Sequence, residues 1–241
     1  MSDLAGELTI LLRNERYVVV DKPSGLSVHR GDARDPVTAL DVVRDRVGRW
    51  VYAVHRLDRG TSGALIFALA PEHVAPLQAL FSSEAQGDGS EARVVGRGME
   101  KQYLALVRGF APEEGVIDHP VPKSEGGPRV PAITAFRRLA TAEGCSLVEA
   151  RPRTGRFHQI RRHLKHINHP LLGDANYGKG ALNRRYREEV GLARLALHAA
   201  ALSFVDPWTG EPVRVVAKIP EDLALPLGRL GIALPDLGVG G

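Results

Sequence analysis

Residues Ala64 to Ala70 form an unbroken apolar run of strand length, set directly behind a turn of small residues, Gly60-Thr61-Ser62-Gly63. On the other side of that turn, Val51, Ala53 and Val54 read as a short extended run. The stretch between them, His55-Arg56-Leu57-Asp58-Arg59, therefore lies where a strand breaks into a turn, and it sets one carboxylate between two guanidinium groups. If the pleat continues through it, Arg56 and Asp58 point one way and His55 and Leu57 the other. A carboxylate beside a guanidinium in an open place makes Asp58 the candidate reacting group. An Asp ahead of a Gly-containing turn also serves as an ordinary turn residue, so the rest of the chain must choose between the two readings.

The 241 residues suffice for one large domain or two intimate lobes around a sizeable core, with 44% hydrophobic and 25% charged residues. A net charge of +4 favours a polyanionic partner only weakly. The single cysteine, Cys145, rules out an internal disulfide and any zinc site built on paired thiolates, and it suits a reducing cytoplasm. No basic leader precedes the first apolar residues and no apolar run reaches membrane-spanning length, so a cytoplasmic protein without membrane contact is expected.

In order along the chain, Leu8 to Leu12 and Tyr17 to Val20 read as a hairpin. Asp35-Pro36 opens a predicted helix to about Val47, with Asp as N-cap and Pro at the first helical position, and a second helix covers about Pro71 to Phe81. Ser82 to Gly98, rich in Gly and charge, reads as a mobile loop. Lys101 to Gly109 reads as a strand with Tyr103 on the face of Ala105 and Val107. A long loop from Gly115 to Pro131 bridges two lobes, and strands follow at about Ala132 to Leu139 and Ser146 to Ala150. Gly178 to Tyr186 reads as a loop, and Ala200 to Val205 with Val213 to Lys218 as a closing hairpin; the tail from Leu230 to Gly241 carries no signal. Strands interleaved irregularly with few helices predict an α+β fold with a mostly antiparallel sheet.

Between Arg153 and His166 the periodicity is helical. Phe157, Ile160, Leu164 and Ile167 share one side, while His158, Arg161, Arg162 and Lys165 gather opposite, with no acidic residue between Glu149 and Asp174 to neutralise them. The histidines at 158, 163, 166 and 169 spread too widely around a helix for one ligand set, and no thiolate or carboxylate joins them, so no metal site is expected.

Taken together these stretches resemble a known family. His55-Arg56-Leu57-Asp58-Arg59-Gly60-Thr61-Ser62-Gly63 is similar to the catalytic motif of the RluA-type pseudouridine synthases, which isomerise uridine in RNA. Val19 to Leu26, with its Lys22-Pro23-Ser24-Gly25, resembles a further family segment, as do Lys101 to Gly109, Thr154 to Leu164, His169 to Asp174, Leu197 to Leu202 and Pro207 to Pro212, in the family's order. The resemblance covers about Leu8 to Ile219 and implies a bifurcated mixed sheet with a central RNA-binding cleft; the chain is read as a single catalytic domain of two intimate lobes spanning 1–241, with no accessory RNA-binding domain before the first motif, unlike some family members.

The resemblance also implies roles. Asp58 is the reacting carboxylate, attacking the sugar or promoting loss of its C2′ proton; Tyr103 stacks on the target base, burial as a core aromatic being its ordinary alternative; Arg161 pairs with Asp58. Arg56 fills the gap left by the extruded nucleotide, with Arg59 beside it on the RNA. Arg156, His158 and Arg162 either contact phosphate or pack beneath the cleft, and Leu197 or Leu202 either walls the base pocket or belongs to the core. No cofactor is needed, and the chain is expected to act as a monomer on RNA. Within the family it is most similar to the TruC branch, through Val28-His29-Arg30, the Arg161-Arg162 pair and Gly191-Leu192 to His198-Ala199. That branch implies a tRNA substrate, with uridine 65 in the acceptor/T-stem region as target. The alternatives are a ribosomal RNA pseudouridine synthase of the same family and a non-catalytic RNA-binding or chaperone protein on this fold.

Overall fold

The computed structural model describes residues 4–30, 35–82 and 98–238. The predicted loop at 82–98 falls almost wholly outside them. The elements run α1 (Leu4–Glu7), β1 (Thr9–Arg13), β2 (Tyr17–Lys22), α2 (Ala39–Val47), β3 (Tyr52–Ala53), β4 (Ser62–Ala68), α3 (Val74–Ser82), β5 (Glu100–Arg108) and β6 (Glu114–Asp118). They continue with β7 (Val121–Pro122), β8 (Arg129–Val130), β9 (Ile133–Ala142), β10 (Cys145–Pro152), α4 (Gln159–His166), α5 (Gly180–Val190), β11 (Leu197–Val205), β12 (Pro212–Val216) and α6 (Glu221–Arg229). A short 3-10 turn at Pro71–His73 leads into α3.

One mixed sheet carries the fold, in the order β1-β2-β4-β11-β5-β10-β9-β6, and every pairing along it is antiparallel except β4 with β11. The sheet forks at β11. Its residues His198 and Ala199 pair with Ser62 and Gly63 of β4, whereas Ala201 to Val205 pair with β12. At the fork, Gly63 has φ +111°, and a Cβ there would sit 2.2 Å from the carbonyl oxygen of Ala199, so only glycine lets the two strands meet. The expected α+β class with a mostly antiparallel mixed sheet is what the chain forms.

Alternation along the strands sorts the core into layers. Val18, Val20, Leu65, Phe67, Tyr103, Ala105, Val148 and Leu197 face one side, where Val43 of α2 and Ile160 and Leu164 of α4 cover them. Their neighbours face the other side: Val19, Ile66 and Leu202 pack with Leu77 of α3, and Leu104 and Leu147 pack with Tyr186 of α5 and Leu223 of α6.

Three expectations change. The helix predicted from Asp35 opens only after Thr38, whose hydroxyl accepts from the Asp41 amide while the Asp41 carboxylate accepts from the Thr38 amide. This reciprocal cap satisfies two helix-end amides at once, and Asp35 instead accepts from the Ser27 hydroxyl and from Arg59 Nε at 3.0 Å. The predicted loop at Gly115 to Pro131 is partly β6, paired to β9 at the sheet edge, followed by the small β7–β8 hairpin. The predicted loop at Gly178 to Tyr186 is mostly α5, because Leu182, Tyr186 and Val190 recur at helical spacing and pack on the core.

Candidate active site

The loop joining β3 to β4 carries Asp58, and α4 crosses in front of it. The two meet through Arg161, which is 7% exposed although it lies on the helix side with the basic residues. Its Nη1 donates to Asp58 Oδ2 at 3.0 Å, while Nε and Nη2 donate to the two carboxylate oxygens of Asp174, each at 2.8 Å. One guanidinium thus bridges two carboxylates, and the planar fork fixes its orientation. Asp174 is 1% exposed and also accepts from the amides of Asn176 and Tyr177. Burial by itself raises the Asp174 carboxyl; the Arg161 fork and the two amides outweigh it and hold the group below the usual carboxylate range. Burial likewise opposes charge on Arg161, and the two carboxylates outweigh that effect and raise it.

Asp58, Tyr103, Arg161 and Leu197 all line one cleft of about 830 Å3, together with Arg56, Arg156 and His158. Tyr103 stands on β5 at the cleft floor, 8% exposed. Burial pushes its phenol up, and the charge of Asp58 adds to the shift, so it is neutral and proton-bearing throughout the physiological range. Arg56 is exposed at the cleft mouth. Lys123 and Glu125, from the turn between β7 and β8, also line the cleft.

The loop leading into α4 is pinned by Gln159. Its Oε1 accepts from the Thr154 hydroxyl and the Arg156 amide, and its Nε2 donates to Ile133 O and Thr134 Oγ1. This brings His158 to the cleft with its Nε2 3.7 Å from Asp58 Oδ2. Burial pushes the His158 imidazole down, with Asp58 opposing.

Three predicted residues stand apart from this group. Leu202 belongs to the core layer on the far face of the sheet with Ile66 and Leu77, since five residues along a strand from Leu197 is an odd step and reverses the face. Arg59 turns outward to Asp35, and among the described residues it is not part of the cleft lining. Arg162 has its guanidinium carbon over the rings of Phe157 and Tyr177, 5.6 and 5.0 Å from their centroids, and among the described residues it is not part of the cleft lining. Conversely, Asp174 and Tyr177 join the site without having been singled out; Asp174 closes the motif His169 to Asp174, and that was the available signal. Among the described residues no group of three His, Cys, Asp or Glu side chains is placed to hold a metal ion.

A family model described as RNA pseudouridylate synthase matches residues 16–166 of the chain. The chain belongs to this family. It is 36% identical to tRNA pseudouridine synthase C of Vibrio parahaemolyticus, with 88% of this chain and 91% of that protein covered, and 34% identical to the Haemophilus ducreyi protein of that name, with 95% and 98% covered. Among solved structures it is similar to human RNA pseudouridylate synthase domain containing 4, with TM-score 0.76, 25% identity and 97% of both chains covered. The RluA-type resemblance read from the motifs therefore stands, and the chain is an RNA pseudouridine synthase, an isomerase. Among the described residues no helix is long and apolar enough to cross a membrane.

Proposed function

We propose that this enzyme converts a uridine of tRNA, at position 65, into pseudouridine, with Asp58 as the reacting carboxylate. The observation that carries the residue assignment is the 3.0 Å contact from Arg161 to Asp58, made across 103 residues of sequence inside a cleft that also holds Tyr103. The names of the relatives at 34–36% identity support tRNA over other RNA.

The reaction breaks the bond from C1′ to N1 of uracil and forms one from C1′ to C5; the C5 proton leaves and N1 gains one, so no outside reagent enters the balance. Asp58 acts on the sugar, by attack at C1′ or by taking the C2′ proton. Arg161, itself locked by Asp174, keeps the carboxylate aimed. The Tyr103 ring replaces the stacking that the extruded base loses, with Leu197 as apolar wall, and Arg56 fills the gap in the RNA, offsetting an unstacking cost of a few kcal/mol. Arg156 at the cleft rim faces the phosphates.

The test is to incubate purified protein with tRNA and with ribosomal RNA and to map pseudouridine by chemical labelling and primer extension. A single stop at tRNA position 65 is expected; stops in ribosomal RNA alone would move the substrate assignment there. Asp58→Asn preserves shape and removes charge. It is expected to fold and bind RNA nearly as the parent does while forming no pseudouridine, and measurable turnover by that variant refutes the role of Asp58.

A further inference from the structure

Asp58 Oδ2 receives the Arg161 Nη1 hydrogen bond and also faces His158 Nε2, whereas among the described residues no donor is bonded to Oδ1. Both neighbours thus address the same oxygen. Behind the imidazole, His158 Nδ1 lies 3.0 Å from the Tyr177 hydroxyl. The Tyr177 ring in turn has three cations over it, the Arg161 and Arg162 guanidinium carbons at 5.0 Å and Lys165 Nζ at 5.5 Å from its centroid.

We propose that Tyr177 and His158 are positioning residues for Asp58: the phenol donates to Nδ1, fixes the imidazole as the Nε2–H tautomer, and thereby secures Oδ2 from a second side so that Oδ1 is presented to the substrate. This rests on the reading of Asp58 as the reacting group.

The tautomer follows from the neighbours. With the proton on Nδ1, the Nε2 lone pair would face the carboxylate at 3.7 Å, which is repulsive; with the proton on Nε2, both ring nitrogens are matched. Cations over the ring face draw electron density from the phenol and make its O–H a better donor. A separation of 3.7 Å is long for a hydrogen bond, and contacts of this kind tighten when substrate fills the site.

The backbone argues the same way. His158 has φ 52°, a left-handed conformation that costs a non-glycine residue stability and persists where the surroundings enforce it. Phe157 stacks on the face of the imidazole at 3.8 Å and the Tyr177 hydroxyl meets its Nδ1 edge, so the conformation serves to aim this ring.

The experiment uses Tyr177→Phe, which removes one oxygen and leaves the ring beneath its cations. Long-range 15N–1H spectra of histidine-labelled protein, with the His158 signal assigned by its loss in His158→Gln, are expected to show the Nε2–H tautomer in the parent and a mixture in Tyr177→Phe. Single-turnover pseudouridine formation on tRNA at saturating enzyme is expected to slow about tenfold, the effect of losing one hydrogen bond, with RNA affinity within about twofold of the parent. His158→Gln, which keeps an N–H donor, is expected to outperform His158→Leu. An Nδ1–H tautomer in the parent overturns the proposal, as does an unchanged rate in Tyr177→Phe, a rate loss matched by the loss in RNA affinity, or equal rates for the two His158 variants. If the parent forms no pseudouridine on any RNA, the assignment of Asp58 fails by that result, and the tautomer spectra alone then decide whether Tyr177 orients His158.

Discussion

Arg161 is held by two carboxylates of different kinds, one buried and fully bonded, the other half-open to the cleft, with side-chain exposures of 0% for Asp174 and 20% for Asp58. The buried partner supplies the rigidity that the open one needs. Asp174→Ala leaves a buried guanidinium with half its partners missing, and removing one member of such a pair costs about 3–5 kcal/mol. Thermal melts should show a marked drop, and at a temperature where the variant remains folded its single-turnover rate should fall while Tyr103 and the cleft floor stay in place. Asp58, Tyr103 and Arg161 were legible from motif order. Asp174 was visible as a letter in a motif and lacked a role, because its partner lies on the far side of a helix turn and a bend, and no periodicity reports that return. Leu202 shows the opposite case: its separation from Leu197 already implied the opposite face of β11, and the strand's alternation decides the matter.

At the scale of elements, the meeting of β4 with β11 sets where the Asp58 loop ends. Ser62 and Gly63 open β4, and only the missing side chain at Gly63 lets Ala199 approach. Gly63→Ala is expected to cost ~3 kcal/mol or more, since the added carbon meets backbone and the φ of +111° disfavours it independently. The checks are soluble yield and urea unfolding. Elements with strong period or punctuation were readable: the β1–β2 hairpin, β4, β5, the helix after Pro71 and the apolar stripe of α4. Two failures have different causes. The start of α2 is decided by a reciprocal cap at Thr38 and Asp41, where Asp35-Pro36 offered a more obvious signal. Helix α5, with its Gly, Asn and Arg content, exists because Leu182, Tyr186 and Val190 find a core to pack on, and helical stability comes largely from such tertiary packing.

At the scale of the molecule, the fork in the sheet has a buried titratable group at its centre. His198, fully buried, meets Ser62 Oγ at 2.8 Å through Nδ1 and Ala217 O at 3.3 Å through Nε2, tying β11 to β4 and to the segment that follows β12. Burial pushes its imidazole down to about 4. In the unfolded chain it titrates near 6.5, so between those values the unfolded state binds more protons and stability rises with pH. The contribution is complete above pH 6.5 and is lost as pH falls towards 4, by ~2–3 kcal/mol at the acid end. Urea unfolding at pH 7, 5.5 and 4.5 should show that decline, and His198→Gln should flatten it by about one proton.

By itself the sequence determined the family, the α+β class, the Asp58 turn and the residue types of the site, because motifs and periodicities are local and survive as text. The tertiary structure alone decided which oxygen of Asp58 is gripped, that Asp174 locks Arg161, that Tyr177 stands behind His158, and that Leu202 lies on the far face. Those facts depend on how strands from distant parts of the chain order themselves in one sheet and how α4 lies across it, and long-range packing leaves no fixed spacing in the chain for a reader to count.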